Sequence, residues 1–364
     1  MRYALIMAGG SGTRLWPMSR ARVPKQLIPF IEGKSLLQLA VERAQQLVPA
    51  DRVYICAGDA HRAMILKQIT SVREDRYLGE PVGRDTLNAV GFAAAVIARN
   101  DPDAVITVLT ADHVIEPVEQ FARIVSAGFE IAEQHAAALV TFGIAPTHAA
   151  TAYGYLELGQ SFDHGSFVVS QFREKPPLET ARQYYNAGPT KYLWNSGMFV
   201  WRAATLMDCV RRFRPDNHAG LAAIADAWGT PRQAQTLSQV YPTLGKVSVD
   251  YAVMEPASRD AQLKVVAVPM PLKWLDVGSW PAFAQTCRKD EQGNALGGGR
   301  HILLDSANTL AASSDPKHVI AAVGCEDLII VHTPEATLVC KREEAERIKD
   351  LVALLKEKWG EEVV

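Results

Sequence analysis

Short runs of apolar residues alternate with helix-periodic stretches from the first residue to about residue 142. The apolar runs are the length of buried strands and fall at Leu5–Met7, Val53–Ile55, Ala104–Leu109 and Ala138–Phe142. Apolar positions recur at helical spacing over Leu36–Leu47, Ala60–Ile69, Leu87–Ala98 and Val118–Glu133. Strands that are apolar on both faces and alternate with helices form a parallel sheet covered on each side. Right-handed crossovers then predict a Rossmann-like, doubly wound α/β domain.

The rest of the chain changes character twice. Residues 151–280 mix aromatic and glycine-containing loops with β-like runs, which predicts an extension that makes the sheet mixed. Glycines from Gly293 to Gly299 then interrupt the pattern, so we predict a catalytic domain at 1–289 and a small β-rich domain at 290–364. Its predicted strands and closing helix are His301–Leu304, Thr309–Ala312, Val319–Val323, Leu328–Val331, Thr337–Cys340 and Glu343–Trp359.

Composition and charge narrow the class of protein. The 364 residues are 48% hydrophobic and 21% charged, an ordinary globular composition. The 40 acidic and 38 basic residues leave a net charge of −2, which argues against a nucleic-acid or membrane-surface partner. Five scattered cysteines indicate neither a disulfide framework nor a zinc site. Neither a signal sequence nor an apolar run of about 20 residues is visible, so we expect a cytoplasmic protein.

A glycine-rich loop follows the first predicted strand and contains Ala8, Gly9, Gly10 and Gly12. Ligands of open α/β sheets bind beyond the carboxyl ends of strands, and glycines let a backbone approach phosphates. Leu15 stands where a dinucleotide loop has its last glycine, and the Gly-Lys-Ser/Thr of a P-loop is missing. A nicotinamide-dependent oxidoreductase and a P-loop phosphatase are therefore disfavoured, while a tight structural turn stays open.

Two cations follow this loop at short distances along the chain. Arg14 can form a bidentate contact with phosphate oxygens, and Lys25 can act as a point charge. A solvated surface pair would need neither the glycines nor this spacing. We therefore predict that both side chains bind phosphate.

Several motifs resemble those of one enzyme family. The stretch Ala8–Gln26 resembles the signature of nucleotide-sugar pyrophosphorylases, and Arg14–Pro17 with Pro24–Gln26 resembles the mannose-1-phosphate guanylyltransferase branch. Further matches follow in order at Glu80–Thr86, Ala111–Ile115, Tyr153–Tyr155, Arg173–Pro176, Leu193–Phe199, Ser248–Glu255 and Trp274–Trp280. The resemblance covers most of Met1–Trp280.

The resemblance implies a metal site. Asp112 follows a predicted strand and should lie at the sheet edge, and the resemblance adds Asp276 to the same place. One or two carboxylates with phosphate oxygens suit Mg²⁺ or another divalent cation. The alternative for Asp112 is a helix N-cap. We expect His113 to be structural, because a neutral histidine suits zinc better.

The resemblance also implies a sugar-phosphate site. In the family, a lysine like Lys175 meets the sugar phosphate, and a glutamate like Glu174 accepts hydrogen bonds from sugar hydroxyls. Pro176 predicts an extended backbone at Lys175. Tyr153 and Gly154, together with the amide of Asn195, would complete the site. An exposed Glu-Lys surface pair is the alternative.

The nucleoside pocket is implied at Glu80, Pro81, Gly83, Arg84, Asp85 and Thr86. Many guanylyltransferases have Gly-Arg-Asn-Thr-Ala-Pro here, whereas this chain has Asp85 for the asparagine and Leu87-Asn88 for Ala-Pro. An aspartate can still accept from guanine N1–H and N2–H₂. Guanine is therefore the expected base, with the strictness of selection left open.

The implied reaction joins mannose 1-phosphate to GTP with loss of pyrophosphate. The C-terminal strands resemble the left-handed β-helix-like tail of short guanylyltransferases, which implies a homodimer. The chain ends before the isomerase domain of longer members, so we expect a monofunctional enzyme. Two alternatives stay open, namely the same chemistry on another pair, such as glucose 1-phosphate with dTTP, UTP or ATP, and a non-catalytic nucleotide-sugar sensor.

Overall fold

The computed structural model describes residues 1–10, 12–29, 31 and 33–364. Its strands are β1 Arg2–Met7, β2 Val53–Gly58, β3 Tyr77–Glu80, β4 Val105–Thr110, β5 His113–Glu116, β6 Ala138–Ile144, β7 Tyr155–Ser161, β8 Phe167–Arg173, β9 Tyr192–Arg202, β10 Lys264–Pro269, β11 Lys273–Asp276, β12 Arg288–Lys289, β13 Ala295–Gly297, β14 Arg300–Leu304, β15 Leu310–Ser313, β16 Val319–Val323, β17 Leu328–Thr333 and β18 Ala336–Lys341.

Its helices are α1 Leu36–Gln45, α2 Arg62–Gln68, α3 Asp85–Asn100, α4 Val118–Gln134, α5 Leu178–Ala187, α6 Ala203–Phe213, α7 Pro215–Ala227, α8 Gln233–Val240, α9 Glu255–Ala257, α10 Trp280–Ala284 and α11 Ile348–Trp359. A π-helical turn, Asp250–Met254, leads directly into α9. The strands and helices predicted for the first 142 residues are confirmed to within a few residues at their ends.

The chain divides into two compact units. The first unit comprises Met1–Gly9, Val41–Thr110 and Ile115–Trp274, and the second comprises Gly10–Ala40, Ala111–Val114 and Leu275–Val364. The segment that follows β1 thus belongs to the same unit as the C-terminal strands. The domain division at 289/290 stays a prediction.

The first unit is built on a mixed sheet with strand order β3-β2-β1-β4-β9-β6-β10-β8-β7. β1 pairs in parallel with β2 and β4, whereas β9 lies antiparallel to both β4 and β6. The region after residue 151 therefore extends the sheet, as predicted. Buried α3 packs with the sheet in one apolar core that includes Leu5, Phe92 and Trp201.

The second unit carries short strands in two small sheets. One has the order β12-β13-β15-β17-β18, and β14 pairs in parallel with β16. The core of this unit joins Leu15 and Trp16 to Trp280 and Ile348. The indole N–H of Trp16 also donates to the Val363 carbonyl at 2.8 Å. Residues of the early loop are thus packed among the C-terminal elements.

β5 and β11 pair as a separate two-stranded sheet. Within the described residues, no helix has both the length and the apolar character needed to span a bilayer. The five cysteines are free thiols.

Candidate active site

The glycine loop begins where β1 ends. Met7 pairs with Thr110 in register, so β1 and β4 end at the same edge of the sheet. Ala8 is buried and donates its N–H to the Cys56 carbonyl at 2.9 Å. Gly10 and Gly12 have positive φ values of 103° and 60°, which favour glycine. Ser11 of this motif lies outside the described residues.

Gly12 also lets the side chains of Ser19 and Lys25 pack closely against the backbone of the glycine loop. A Cβ atom added there would lie 2.6 Å from Ser19 Oγ and 2.9 Å from Lys25 Cβ. Real Cβ atoms do not approach other atoms so closely, so the stretch that carries Lys25 needs a glycine opposite it. The glycine loop thus has a packing role beside any contact with phosphate.

Lys25 is buried and forms an ion pair with the first predicted metal ligand. Its Nζ lies 2.8 Å from Asp112 Oδ2, and it also donates to the Val277 carbonyl at 3.4 Å. The Asp112 carbonyl in turn accepts from the Val277 N–H at 3.1 Å. Lys25 is therefore not a solvated surface cation.

Asp112 lies beside the second predicted ligand. Ligand atoms of Asp112, His113 and Asp276 all lie within 4.8 Å of one another. Asp112 precedes strand β5, and helix α4 begins only after Pro117, so the N-cap alternative is excluded. His113 Nε2 lies 3.7 Å from Asp112 Oδ1.

The two carboxyl groups have opposite pKa shifts. Burial alone would raise the pKa of Asp112, but the charge of Lys25 and the proximity of His113 hold it below its usual value. Burial and the negative charge of Asp112 raise the pKa of Asp276. A divalent cation would relieve this repulsion, so the donor set fits a hard cation that prefers oxygen.

Arg14 and Asp276 both approach Gly278. A Cβ added at Gly278 would be 3.3 Å from Arg14 Nη2 and 3.4 Å from Asp276 Oδ1, so Gly278 leaves room for both side chains. Arg14 Nη1 forms an ion pair with Glu346 at 3.1 Å. Glu346 precedes α11 and carries no sequence signal for this role, because the two residues are far apart in the chain.

The predicted nucleoside segment follows β3 in the first unit. Pro81 and Gly83 are exposed, and Asp85 begins α3 with a positive φ of 64°. Asparagine and aspartate tolerate this left-handed conformation better than most residues. The Asp85 side chain accepts from the Thr86 N–H at 2.8 Å, a hydrogen bond that the side-chain oxygen of an asparagine can also accept.

Two further residues of this segment form hydrogen bonds with backbone groups that are distant in the sequence. Thr86 Oγ1 accepts from the Val249 N–H at 2.9 Å, and Arg84 donates to the Pro242 carbonyl. This chain also has Leu87-Asn88 where many guanylyltransferases have Ala-Pro. Leu87 is fully buried, so it has a packing role. Asn88 is buried as well, and its Nδ2 donates to the Arg84 carbonyl at 2.7 Å.

Glu80 is a buried carboxyl group near the glycine loop. Its Oε2 lies 4.0 Å from where a Cβ of Gly9 would be. Burial raises the pKa of Glu80, and the hydroxyl of Tyr241 donates to its Oε1 at 2.6 Å. Tyr241 lies in no recognised motif, so sequence reasoning missed it.

The predicted sugar-phosphate residues lie together in the first unit. Lys175 Nζ contacts Glu174 Oε1 at 2.7 Å, and a Cβ added at Gly154 would be only 2.5 Å from Glu174 Oε2. Gly154 is thus required for the close approach of Glu174. Glu174 is buried, so the pair is not the exposed surface pair that was the alternative.

The conformation predicted for Lys175 is wrong. Its φ is 44°, a left-handed value instead of an extended one. Pro176 disfavours the right-handed helical region for the preceding residue but does not select among the others. Such a backbone is costly for a residue other than glycine and tends to persist at binding sites.

Asn195 and Asp250 complete this group. Asn195 is buried and donates from Nδ2 to Asp250 Oδ1 at 2.8 Å. Burial and the charge of Glu174 raise the pKa of Asp250 to about 7. Asp250 lies within a recognised motif, yet sequence reasoning did not single it out. The half-buried Tyr153 ring packs against Trp194 and Trp274, with centroids 5.0 and 5.4 Å apart.

The structure thus groups the predicted residues in two places. Gly10, Gly12, Arg14, Lys25, Asp112 and Asp276 belong to the second unit. Ala8, Gly9, Glu80–Thr86, Tyr153, Gly154, Glu174, Lys175 and Asn195 belong to the first unit.

Comparison with known proteins places this arrangement in a family. Residues 3–293 match the nucleotidyl transferase family, and residues 299–355 match the MannoseP isomerase/GMP-like beta-helix domain. The chain belongs to the nucleotidyl transferase family.

The relatives narrow this class further. The chain is 36% identical to a mannose-1-phosphate guanylyltransferase of Klebsiella pneumoniae, over 98% of this chain and 74% of that protein. It is 39% identical to the xanthan biosynthesis protein XanB of Xanthomonas campestris, over 97% of this chain and 73% of that protein. A solved structure from Thermus thermophilus, described as a mannose-1-phosphate geranyltransferase, has a TM-score of 0.86 and 32% identity, and the match covers 98% of this chain and 99% of that one.

These findings confirm the predicted family, the mixed α/β sheet with a C-terminal β-helix-like region, and the enzyme class of nucleotidyltransferase. The roles of the individual site residues stay predictions.

Proposed function

We propose that this enzyme makes GDP-mannose and pyrophosphate from GTP and mannose 1-phosphate. The observation that carries this proposal is the ion pair between buried Lys25 and Asp112, which lies beside Asp276 in the same unit as Gly10 and Gly12. A non-catalytic sensor would have no need of a buried cation and two repelling carboxyl groups in one place.

The reaction is an in-line displacement. A phosphate oxygen of mannose 1-phosphate forms a bond to the α-phosphorus of GTP, and the bond from the α-phosphorus to the α,β-bridging oxygen breaks. Pyrophosphate leaves with the electron pair. The attacking oxygen is already anionic, so no general base is needed, and catalysis consists of alignment and charge stabilisation.

The residues of the second unit have the charges that this step requires. Backbone N–H groups at Gly10 and Gly12, with Gly9 before them, would bind phosphate oxygens. Arg14 and Lys25 would stabilise the transferring α-phosphoryl group and the departing pyrophosphate. In the structure both cations have carboxylate partners, which phosphates can replace.

Asp112 and Asp276 would hold a divalent cation, most simply Mg²⁺. Two carboxylates from distant parts of the chain suit a metal that arrives with the nucleotide. The bound ion would neutralise charge on phosphate oxygens.

The first unit supplies recognition of base and sugar. We assign the nucleoside to Glu80, Pro81, Gly83, Arg84, Asp85 and Thr86, with Ala8 beside the glycine loop. We assign the sugar phosphate to Tyr153, Gly154, Glu174, Lys175 and Asn195. Lys175 is half exposed, so it can turn from Glu174 towards an incoming phosphate.

The test is pyrophosphate release with Mg²⁺, with GTP, ATP, UTP and dTTP each paired with mannose 1-phosphate and glucose 1-phosphate. We expect GTP with mannose 1-phosphate to give the highest kcat/KM. A different preferred pair would leave the chemistry intact and overturn the assignment of base and sugar. Release from no pair would support the sensor alternative.

Variants of the two cations test the site. Arg14→Ala and Lys25→Ala should each lower kcat about 10²–10³-fold, by analogy with loss of one preorganised donor to a developing charge. Lys349→Ala is the matched control, because Lys349 is an exposed cation on α11. Near-normal turnover in both variants would contradict the assignment.

We also propose a homodimer formed through the C-terminal region. Ile302 on β14 and Val323 on β16 are 68% and 69% exposed. Leu304 pairs with Val323, and Val319 lies on the same face because alternate residues of a strand share a face. A second copy of the chain would bury this apolar face.

Sedimentation at micromolar concentration tests the dimer. The wild type should sediment as a dimer, and Ile302→Glu with Val323→Glu should dissociate it. Leu178→Glu is the control, since Leu178 is an exposed apolar residue of the first unit. A wild-type monomer would contradict this proposal.

We further propose a cytoplasmic location, which the nucleotide and sugar-phosphate substrates support and cell fractionation would test.

A further inference from the structure

Asn195 has little hydrogen-bonding capacity left for a ligand. Its Oδ1 accepts from Thr141 Oγ1 at 2.7 Å and from the Gly197 N–H at 3.3 Å. A carbonyl oxygen has two lone pairs, so these two donors occupy it. One N–H of its Nδ2 is used by Asp250. The oxygen of this amide is therefore occupied by the protein and is not available to accept from a sugar hydroxyl.

The Gly197 N–H and the Thr141 hydroxyl together determine which way the amide faces. Thr141 is fully buried on β6, and its single hydroxyl proton lies nearer to Asn195 Oδ1, at 2.7 Å between the oxygens, than to the Met198 carbonyl, at 3.1 Å. With the oxygen of Asn195 held by Thr141 and Gly197, its nitrogen must face Asp250. Two buried side chains thus orient one carboxyl group.

Asp250 can accept further hydrogen bonds, whereas the side-chain oxygen of Asn195 cannot. A carboxylate offers about four lone-pair positions, and the Asn195 amide and the backbone N–H of Asp250 itself engage only part of them. Asp250 is partly exposed, whereas Asn195 is buried. It also begins the π-helical turn Asp250–Met254, a local irregularity that is frequent at functional sites.

We propose that Asp250 is a specificity-determining residue that accepts a hydrogen bond from one hydroxyl of the hexose 1-phosphate, and that Asn195 and Thr141 are its positioning residues. This inference rests on the proposed function. It gives the site two carboxylates, Glu174 and Asp250, for hydroxyls and leaves Lys175 for the phosphate.

The charges around Asp250 are consistent with this role. Burial and the charge of Glu174 raise the pKa of Asp250, and Lys175 opposes that effect, so an incoming phosphate that draws Lys175 away changes the electrostatic balance at Asp250. Tyr251, the next residue, is largely exposed. Because the pKa of Asp250 lies at about 7, its ability to accept should increase as the pH rises through neutrality.

The test compares Asp250→Asn with the wild type on mannose 1-phosphate and its 2-, 3-, 4- and 6-deoxy analogues. The asparagine can still accept from Asn195, so the variant should fold normally. We expect kcat/KM for mannose 1-phosphate to fall about 10–100-fold, the effect of losing a hydrogen bond to a charged acceptor. The KM for GTP should be unchanged.

The analogues separate recognition from general damage. The penalty of Asp250→Asn should disappear with the one analogue that lacks the recognised hydroxyl and persist with the other three. Thr141→Val should show the same pattern more weakly, and Glu255→Gln, a carboxylate of α9, should show none.

Each other outcome contradicts the inference. An equal loss on all analogues, or no loss on any, would overturn the role of Asp250 while the wild type still upholds the proposed function. If the wild type turned over no hexose 1-phosphate at all, both proposals would be overturned.

Discussion

Replacement of Lys25 by methionine tests the reasoning about the site most directly. The side chains of Lys25 and Asp112 are 10% and 24% exposed, with 2.8 Å between Nζ and Oδ2. Methionine preserves the length and apolar stem of the lysine but removes its charge. The carboxylate of Asp112 is then left beside Asp276 without its cation.

The expected cost follows from the burial of the pair. Removal of one partner of a buried ion pair typically costs about 3–5 kcal/mol, because the remaining charge is uncompensated. Asp112 retains some contact with water, so we expect the free energy of unfolding of Lys25→Met to fall by about 2–3 kcal/mol. Asp112→Asn should be destabilising for the reciprocal reason.

The double variant Lys25→Met/Asp112→Asn should recover most of this loss. It removes both charges, so neither remains unpaired, and a coupling of about 2 kcal/mol between the two sites is expected. Urea unfolding followed by tryptophan fluorescence, with EDTA present, measures these stabilities. Turnover should stay reduced at least about 10²-fold in all three variants, because each lacks the proposed phosphate-binding cation, a proposed metal ligand, or both.

The pH dependence provides a second check. The ion pair holds the pKa of Asp112 below its usual value, so its stabilisation is present at neutral pH and is lost as the pH falls through that depressed pKa. The difference between the wild type and Lys25→Met should therefore shrink in acid. Additive costs in the double variant, or a difference that grows in acid, would refute the reasoning.

Three further predictions concern the same unit. Gly12→Ala should lower kcat about tenfold or more, because the new Cβ would displace Lys25. It should also lower the free energy of unfolding by about 1–2 kcal/mol, because alanine is strained in this left-handed backbone conformation. Activity assays measure the first effect, and urea unfolding measures the second. The Mg²⁺ concentration for half-maximal turnover should rise as the pH falls, since the raised pKa of Asp276 lets protons compete with the metal at a higher pH than usual; no pH dependence in a metal titration would contradict this. Glu346→Gln should lower the KM for GTP several-fold, because Glu346 would compete with phosphate for Arg14. The effect on stability should be small, since Glu346 is exposed, and an unchanged KM would show that the ion pair is incidental.

Four strands and four helices of the first 142 residues were predictable from the sequence, whereas β3, β5 and the helices α5 to α8 were not predicted. Buried strands and amphipathic helices follow directly from the spacing of apolar residues, as at β4 and α4, and the glycine loop after β1 predicts a ligand-binding edge. The residue types also led to a prediction of the chemistry, because Arg14, Lys25, Asp112 and Asp276 stand in motifs that resemble those of the family, and their individual roles stay predictions.

The tertiary structure decided which groups meet. Hydrophobic periodicity is local, so it did not predict that β9 lies antiparallel between β4 and β6. Likewise, neither the pairing of Arg14 with Glu346 nor the contact of Tyr241 with Glu80 has a signal along the chain. These contacts depend on how distant segments pack, which no short motif records.

Asn195 and Asp250 show most clearly the difference between what the sequence determined and what the tertiary structure decided. The motif around Asn195 predicted a polar residue for sugar recognition, but its amide oxygen is taken by Thr141 and Gly197, and one of its N–H groups is taken by Asp250. The sequence by itself determined which polar groups were available. Only the fold decided which of them the protein satisfies internally and which it leaves for a ligand, because a buried polar group takes whatever partners packing brings to it.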